Sequence, residues 1–322
     1  MQYGNVTGID KPISRLVQGT IMVNSKERDR SFALLDEVFA LGCTTFDTAH
    51  VYGGGDNERT VGRWVRERDL RDKLVIIGKG AHPYNGQQRV TPEHITADIN
   101  ESLERFGFDY IDLYLLHRDN PDVPVGPIVE VLSEHQRAGK IGAFGGSNWS
   151  VERVQAANAY AQAHNLTPFA ASSPNFSLAE QYVPPWEGCL TISGPQGAGA
   201  RAWYADTQMP VFSWSSLAGG FFSGRFHRDN LDTMTEYLDK LAAESYGRDP
   251  NFERLDRVQT LAEERGLSIP QIALAYVMNQ PMNMFALVGC NSGAEFKANV
   301  EAADLQLSEA ELAWLDLRSD TR

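Results

Sequence analysis

The stretch Phe46-Asp47-Thr48-Ala49-His50-Val51-Tyr52-Gly53 decides how this chain is read. It is the end of a strand followed by a loop, and it sets a carboxylate and a phenol five residues apart where extended backbone gives way to a turn. Two further strand-like runs lead into titratable groups. Leu74-Val75-Ile76-Ile77 is a continuous apolar run rich in β-branched residues, the composition of a strand buried on both faces, and it ends at Gly78-Lys79-Gly80. Ile111 to Leu116 is the next such run, and His117 follows it. If these strands lie parallel, Asp47, Tyr52, Lys79 and His117 gather at one end of the sheet.

Working outward, short apolar runs and helical segments alternate along the whole chain. Ile13 to Val17, ending in Gly19-Thr20, reads as a first strand and Thr44 to Asp47 as the second. Ser25 to Leu41 carries Phe32, Leu34, Leu35, Val38, Phe39 and Leu41 at helical spacing, with Gly42 where a helix C-terminus favours glycine. Asn57 to Glu67 is helical, and Thr91-Pro92-Glu93 opens a helix running to Phe106. Further helices are expected over Val125 to Ala138 and Val151 to His164. Further strands are expected at Ile141 to Gly145, Phe169 to Ser173, Pro210 to Trp214 and Phe285 to Val288. The pattern loosens twice. Glu180 to Thr207 reads as a loop and short helix. Phe226 to Asn251 reads as an acidic insertion with a helix from Leu231 to Ser245, a lid or a solvated excursion with equal weight. Helices over Phe252 to Arg265 and Ser268 to Asn279, and one opened by Leu307-Ser308-Glu309, complete the chain.

Eight strand candidates with helices between them, the early ones about 30 to 40 residues apart, describe βα units and an α/β fold of the (β/α)8 TIM barrel type. The expectation is a single domain over residues 1–322 with long loops after strands 6 and 7. A doubly wound open sheet is the alternative. It usually carries G-x-G-x-x-G after its first strand, whereas Gly53-Gly54-Gly55 follows the second and lacks the third spaced glycine.

The bulk properties narrow the partners. With 42% hydrophobic and 22% charged residues the chain has an ordinary globular composition. A formal net charge of −13 argues against nucleic acid or an anionic membrane as the main partner. It leaves room for a phosphate-bearing cofactor, because helix N-termini bind phosphate locally. The N-terminus lacks a basic region and an apolar run, so no signal peptide is expected. No apolar run approaches the roughly 20 residues that span a bilayer. Cys43, Cys189 and Cys290 are widely spaced and odd in number, which suggests a reducing, cytoplasmic setting and neither a disulfide framework nor a metal site.

The four rim residues suit general acid/base chemistry. A free phenol titrates near ~10 and is a poor acid at neutral pH. A neighbouring ammonium lowers that value, so Lys79 is expected to activate Tyr52 while Asp47 holds Lys79 protonated and His117 hydrogen-bonds the substrate oxygen or the phenol. Singly, each residue has a plainer reading: a helix cap, a loop cation, a packing aromatic, a buried histidine. Their joint placement at successive strand ends outweighs those readings.

These segments, with Asp112-Leu113-Tyr114-Leu115-Leu116-His117 and Gly146-Ser147-Asn148, resemble the aldo-keto reductase family from about Leu16 to the last helix. The resemblance implies a barrel that binds a nicotinamide cofactor without a Rossmann domain. It also implies Tyr52 as general acid assisted by Lys79, Asp47 and His117, and a small carbonyl or alcohol substrate. It places Gly19 and Thr20 beside the nicotinamide ribose, and Ser147 and Asn148 at the carboxamide. Ser173 stands where the family usually has a glutamine, a shorter reach. Trp214 takes the place of a tyrosine that stacks on the nicotinamide. Ser215 and Leu217 match pyrophosphate contacts. Gly289, Ser292, Glu295 and Asn299 match the adenosine site at a helix N-terminus. Glu295 departs from a glutamine or arginine near the adenosine 2′-phosphate. NADP(H) is the family default, so NAD(H) is expected to be tolerated or preferred unless Arg225 rescues the phosphate.

Ile21 or Met22, His50, Tyr84, Arg118 and Trp149 are candidates for the pocket wall, of which His50 and Arg118 would suit a hydroxylated, sugar-like or acidic substrate. Two other functions stay open. One is a non-catalytic, cofactor-binding regulatory subunit of the same fold. The other is a barrel hydrolase using carboxylates such as Asp47 and Asp119.

Overall fold

The computed structural model describes residues 1–322. Eight parallel strands close into a barrel: β1 (Leu16–Gly19), β2 (Thr45–Asp47), β3 (Val75–Gly80), β4 (Ile111–Leu116), β5 (Ile141–Ser147), β6 (Ala171–Ser173), β7 (Val211–Ser213) and β8 (Met284–Val288), with β8 pairing back onto β1. Every neighbouring pair is parallel, and all but the closing β8–β1 pair are successive in the chain. The (β/α)8 expectation holds and the open doubly wound sheet is excluded.

The outer layer is α1 (Arg28–Ala40), α2 (Asp56–Glu67), α3 (Pro92–Phe106), α4 (Val125–Arg137), α5 (Val151–Ala163), α6 (Ala198–Thr207), α7 (Tyr237–Tyr246), α8 (Asp249–Arg265), α9 (Ile269–Met278), α10 (Gly293–Ala303) and α11 (Glu309–Leu315). Local chemistry starts and stops them. Thr91, Ser150 and Ser292 accept from backbone N–H groups of the first turns of α3, α5 and α10, and Ser308 with Glu311 makes a capping box for α11. Gly107 and Gly266 end α3 and α8 in the left-handed conformation.

One expectation fails at the start of the chain. Ile13-Ser14 is not barrel strand; it pairs antiparallel with Tyr3-Gly4, and the first barrel strand begins at Leu16. That hairpin closes the N-terminal mouth. Val6, Ile9 and Ile13 pack beneath an inner layer of Val17, Val75, Ile77, Leu113, Leu115, Phe212 and Phe285. Phe212 and Phe285 stack at 4.6 Å between ring centroids and fill the centre. A barrel packed solid below leaves only the C-terminal rim for chemistry. The insertion after β7 holds α7, which starts six residues later than expected, at Tyr237, because Leu231–Thr233 forms a separate 3-10 turn.

Candidate active site

Strand pairing continues past β2 and delivers Tyr52. The Thr48 and His50 amides donate to the Ile77 and Lys79 carbonyls, both at 2.8 Å, so the chain runs beside β3 beyond Asp47. Gly53, Gly54 and Gly55 then take φ of 56°, 60° and 89° and reverse the chain into α2. Three consecutive left-handed residues are feasible only for glycine, which accounts for the triplet without a phosphate loop. Lys79 lies within β3, and its ammonium bonds the Asp47 carboxylate; each residue is 4% exposed. The same ammonium sits 5.2 Å from the centroid of the Tyr52 ring. The His117 amide donates to the Gly80 carbonyl at 2.7 Å, extending the β3–β4 ladder. That places its imidazole edge-on to Tyr52, centroids 5.9 Å apart. The four residues meet.

Their electrostatics differ from expectation in one respect. Burial raises the Tyr52 phenol above its ordinary value and the Asp47 charge adds to this; Lys79 and Arg118 pull it down without prevailing. Tyr52 is therefore held protonated and is not an activated, low-pKa phenol. Burial pulls Lys79 downward, but the Asp47 carboxylate and the Tyr52 oxygen more than offset it, so the side chain stays an ammonium. Burial, with the nearby Lys79 and Arg118 charges, pushes His117 well below its ordinary value and keeps it neutral. Its Nδ1 is buried without a partner.

The opposite half of the rim holds the residues expected to face a cofactor. Gly19 and Thr20 end β1, and the Thr20 hydroxyl donates to the Asp47 carbonyl at 2.8 Å. Thr20 thus braces β1 against β2. Ser147 Oγ donates to the Ser173 carbonyl at 2.9 Å. Asn148 is saturated: Nδ2 donates to the His117 carbonyl at 3.1 Å and Ser147 Oγ at 3.3 Å, while Oδ1 accepts from the Leu190 amide at 3.0 Å and Trp214 Nε1 at 3.1 Å. The Ser173 hydroxyl makes no hydrogen bond in the protein, and Trp214 is half-buried. Backbone strain concentrates here: Ala81, Asn148 and Ser215, just beyond β3, β5 and β7, have φ of 60°, 62° and 52°. Left-handed non-glycine residues cost about 1–3 kcal/mol each and cluster at functional sites. Beyond β7 the amides of Ser215, Ser216 and Leu217 donate to no protein acceptor, three successive free N–H groups.

At the outer end, Gly289 is exposed and Ser292 caps α10. Glu295 Oε2 accepts from the Asn291 amide at 2.8 Å, and Glu37 of α1, which the sequence did not single out, accepts from the Gly293 amide at 2.8 Å. Two carboxylates therefore occupy this helix start. Asn299 is buried, its Nδ2 on Cys290 Sγ at 3.1 Å, and faces inward. Arg225 is held in a two-point ion pair by Asp239 of α7, at 3.0 and 2.9 Å.

The pocket candidates separate. Ile21 and Tyr84 are exposed on the rim, 52% and 64%. Trp149 is fully buried against Phe169, so it supports the rim from behind. His50 turns its Nε2 to Glu101 of α3 at 2.8 Å. Asp119 is paired with Arg153 and Asp47 with Lys79, so no free carboxylate couple exists for a hydrolase. Sequence reading missed His82, whose ring lies 5.0 Å from that of His117, edge-on. Its place three residues after Lys79 was the available signal. It also missed Trp186, which donates to the Tyr237 hydroxyl at 3.1 Å and bridges the loops after β6 and β7 beside Trp214, 6.4 Å between indole rings. No group of histidine, cysteine and acidic side chains suited to a metal ion is present, and no helix is long and apolar enough to cross a membrane.

Comparison with known proteins agrees with this architecture. A thermostable aldo-keto reductase, solved in complex with the inhibitor epalrestat, superposes with a TM-score of 0.74 at 21% identity over 99% of this chain and 100% of that one. The aldo-keto reductase YhdN of Bacillus subtilis is 26% identical across 92% of this chain and 87% of its own length. The L-glyceraldehyde 3-phosphate reductase of Escherichia coli is 28% identical across 91% and 84%. A putative voltage-gated potassium channel subunit beta of Schizosaccharomyces pombe is 25% identical across 84% and 78%. With its family model matched over residues 15–317, the chain belongs to the Aldo/keto reductase family, whose members are NAD(P)H-dependent oxidoreductases.

Proposed function

We propose that this protein reduces an aldehyde or ketone to the alcohol, or runs the reverse, with Tyr52 giving the proton to the carbonyl oxygen. The observation that carries this is the convergence of Tyr52, Lys79, Asp47 and His117 on one rim. The raised phenol is protonated at neutral pH, as a donor must be, and the Lys79 ammonium beside it stabilises the phenolate left behind. Asp47 keeps Lys79 charged and in place. Neutral His117 presents its imidazole to the space in front of Tyr52 and orients the carbonyl oxygen.

The residues present suit a nicotinamide dinucleotide. The free amides of Ser215, Ser216 and Leu217 form a concave donor set for the pyrophosphate. Trp214 offers an indole face to the nicotinamide, Ser147 and Ser173 offer hydroxyls to its carboxamide, and Asn148 can join them only by giving up a present partner. Gly19 leaves the β1 end open, and Gly289 and Ser292 frame the adenosine, while Asn299 supports that end from inside through Cys290. When bound, the reduced cofactor supplies hydride to the carbonyl carbon.

NADH is the favoured form in this reading. A 2′-phosphate at the start of α10 would meet Glu295 and Glu37 where a cation is needed, and Arg225 already has Asp239. Comparing kcat/KM for NADH and NADPH checks it; a large preference for NADPH would remove the argument from these carboxylates. The acid assignment is checked by an aldehyde panel with Tyr52→Phe as control. Full activity in Tyr52→Phe would remove Tyr52 from the role, and cofactor binding without turnover of any carbonyl would favour the regulatory-subunit reading.

A further inference from the structure

Arg118 follows His117 directly and is buried at the same rim, 4% exposed. Its side chain has carbonyl partners only: Nε donates to Glu187 at 2.9 Å and Nη1 to His117 at 2.8 Å. No carboxylate pairs with it, and the neighbouring Asp119 is taken by Arg153. The other equally buried arginine, Arg254, has Asp316 at 3.5 Å. A guanidinium is always charged and has five N–H donors, so three remain unspent on Arg118. They belong to Nη1 and Nη2, the edge that suits two oxygens of one anion. Nη2 has no partner in the protein and is not sealed from solvent.

The group is held in place from two sides. Trp149 Nε1 donates to the Arg118 carbonyl at 3.1 Å. The arm runs over Gly188, where φ is 71° and a Cβ would stand 3.0 Å from Arg118 Cδ. Its charge acts toward the catalytic side, lowering the pKa values of Tyr52, His82 and His117. A fixed, buried cation beside the reacting groups, without a counter-charge from its own chain, is arranged for one that arrives.

We propose that Arg118 pairs with an anionic group on the substrate, so that the enzyme acts on small carbonyl compounds bearing a carboxylate or a phosphate. This rests on the reductase reading above. The test compares matched substrates at saturating cofactor: an ω-oxo carboxylate with its methyl ester, and a phosphorylated hydroxyaldehyde with its unphosphorylated parent. The wild type should favour the anionic member of at least one pair, and which pair identifies the anion. Arg118→Gln should lower kcat/KM for that member on the order of 100-fold, the worth of charge-assisted hydrogen bonds, and at least about tenfold more than for the neutral member, which loses only the effect of the charge on Tyr52 and His117. Arg118→Lys should recover part of the loss. Acetate or inorganic phosphate should compete with the anionic substrate in the wild type, a measurement that needs no variant. Equal turnover of both members by the wild type overturns the inference, as does an equal loss on both in Arg118→Gln, which would make Arg118 a strap between β4 and the loop after β6. A wild type that binds cofactor and reduces none of the four overturns the reductase reading and this one with it.

Discussion

Lys79 and Arg118 are both cations at the rim, each 4% exposed, and they differ in what faces them. Lys79 is matched by the Asp47 carboxylate; Arg118 meets two carbonyls. Both arrangements hold a charge in a poorly solvated place, and they imply different uses. A neutralised pair exerts its effect over a few ångströms, on Tyr52. An unmatched charge reaches further and favours whatever negative group approaches. Within one site, the first suits proton transfer and the second suits selection.

Several substitutions would break or sharpen this contrast. The largest effect is expected at the residue the Lys79 pair serves: Tyr52→Phe should lower kcat by about 10³-fold, within the usual range for a lost general acid, with cofactor fluorescence quenching intact. Near-normal kcat would leave the Asp47–Lys79 pair without a purpose in catalysis. Next, Lys79→Met strands Asp47 as a buried, unpaired carboxylate and should cost about 3–5 kcal/mol of unfolding free energy. Arg118→Met strands no acid and should cost about 1–2 kcal/mol, two hydrogen bonds' worth. Denaturant midpoints for the two variants measure the difference directly, and equal losses would erase it. Adding Asp47→Asn to Lys79→Met should restore much of the stability and none of the activity.

The pH profile is the third check. Tyr52 must be protonated to act, and its pKa lies above its ordinary value of 10.0. Reduction is therefore full below that value and lost as pH rises through it. His117 is held well below 6.5 and stays neutral, so kcat/KM for reduction should be flat from about pH 7 to 9. A decline near pH 8 would mean the ammonium prevails over burial. The smallest effect is expected far from the contrast, where Glu295→Gln should improve kcat/KM for NADPH by about three- to tenfold through loss of one exposed carboxylate near the phosphate.

Much of the barrel was legible because parallel strands are buried on both faces and read as apolar runs; β4 was placed to the residue. The meeting of Asp47, Tyr52, Lys79 and His117 was legible for a related reason, since each lies within a few residues of a strand end and the barrel does the rest. Ile13 to Val17 misled because the run spans two elements, Ile13-Ser14 in the hairpin and Leu16 onward in the barrel, and composition cannot mark the break at Arg15. Glu37 and His82 escaped because their roles depend on contacts across elements. The direction of the Tyr52 pKa escaped because it is a balance between burial and charge, and burial is set by the fold.

Asn148 is a junction as well as a contact. One amide ties the ends of β4 and β5 to the loop after β6 and to Trp214 beyond β7, using every hydrogen bond it can make. A cofactor that claims that amide must displace one of its present partners. Occupancy of the cofactor site would then be communicated mechanically to the His117 backbone and to the loop that carries Glu187, and so to the His117 and Arg118 side chains.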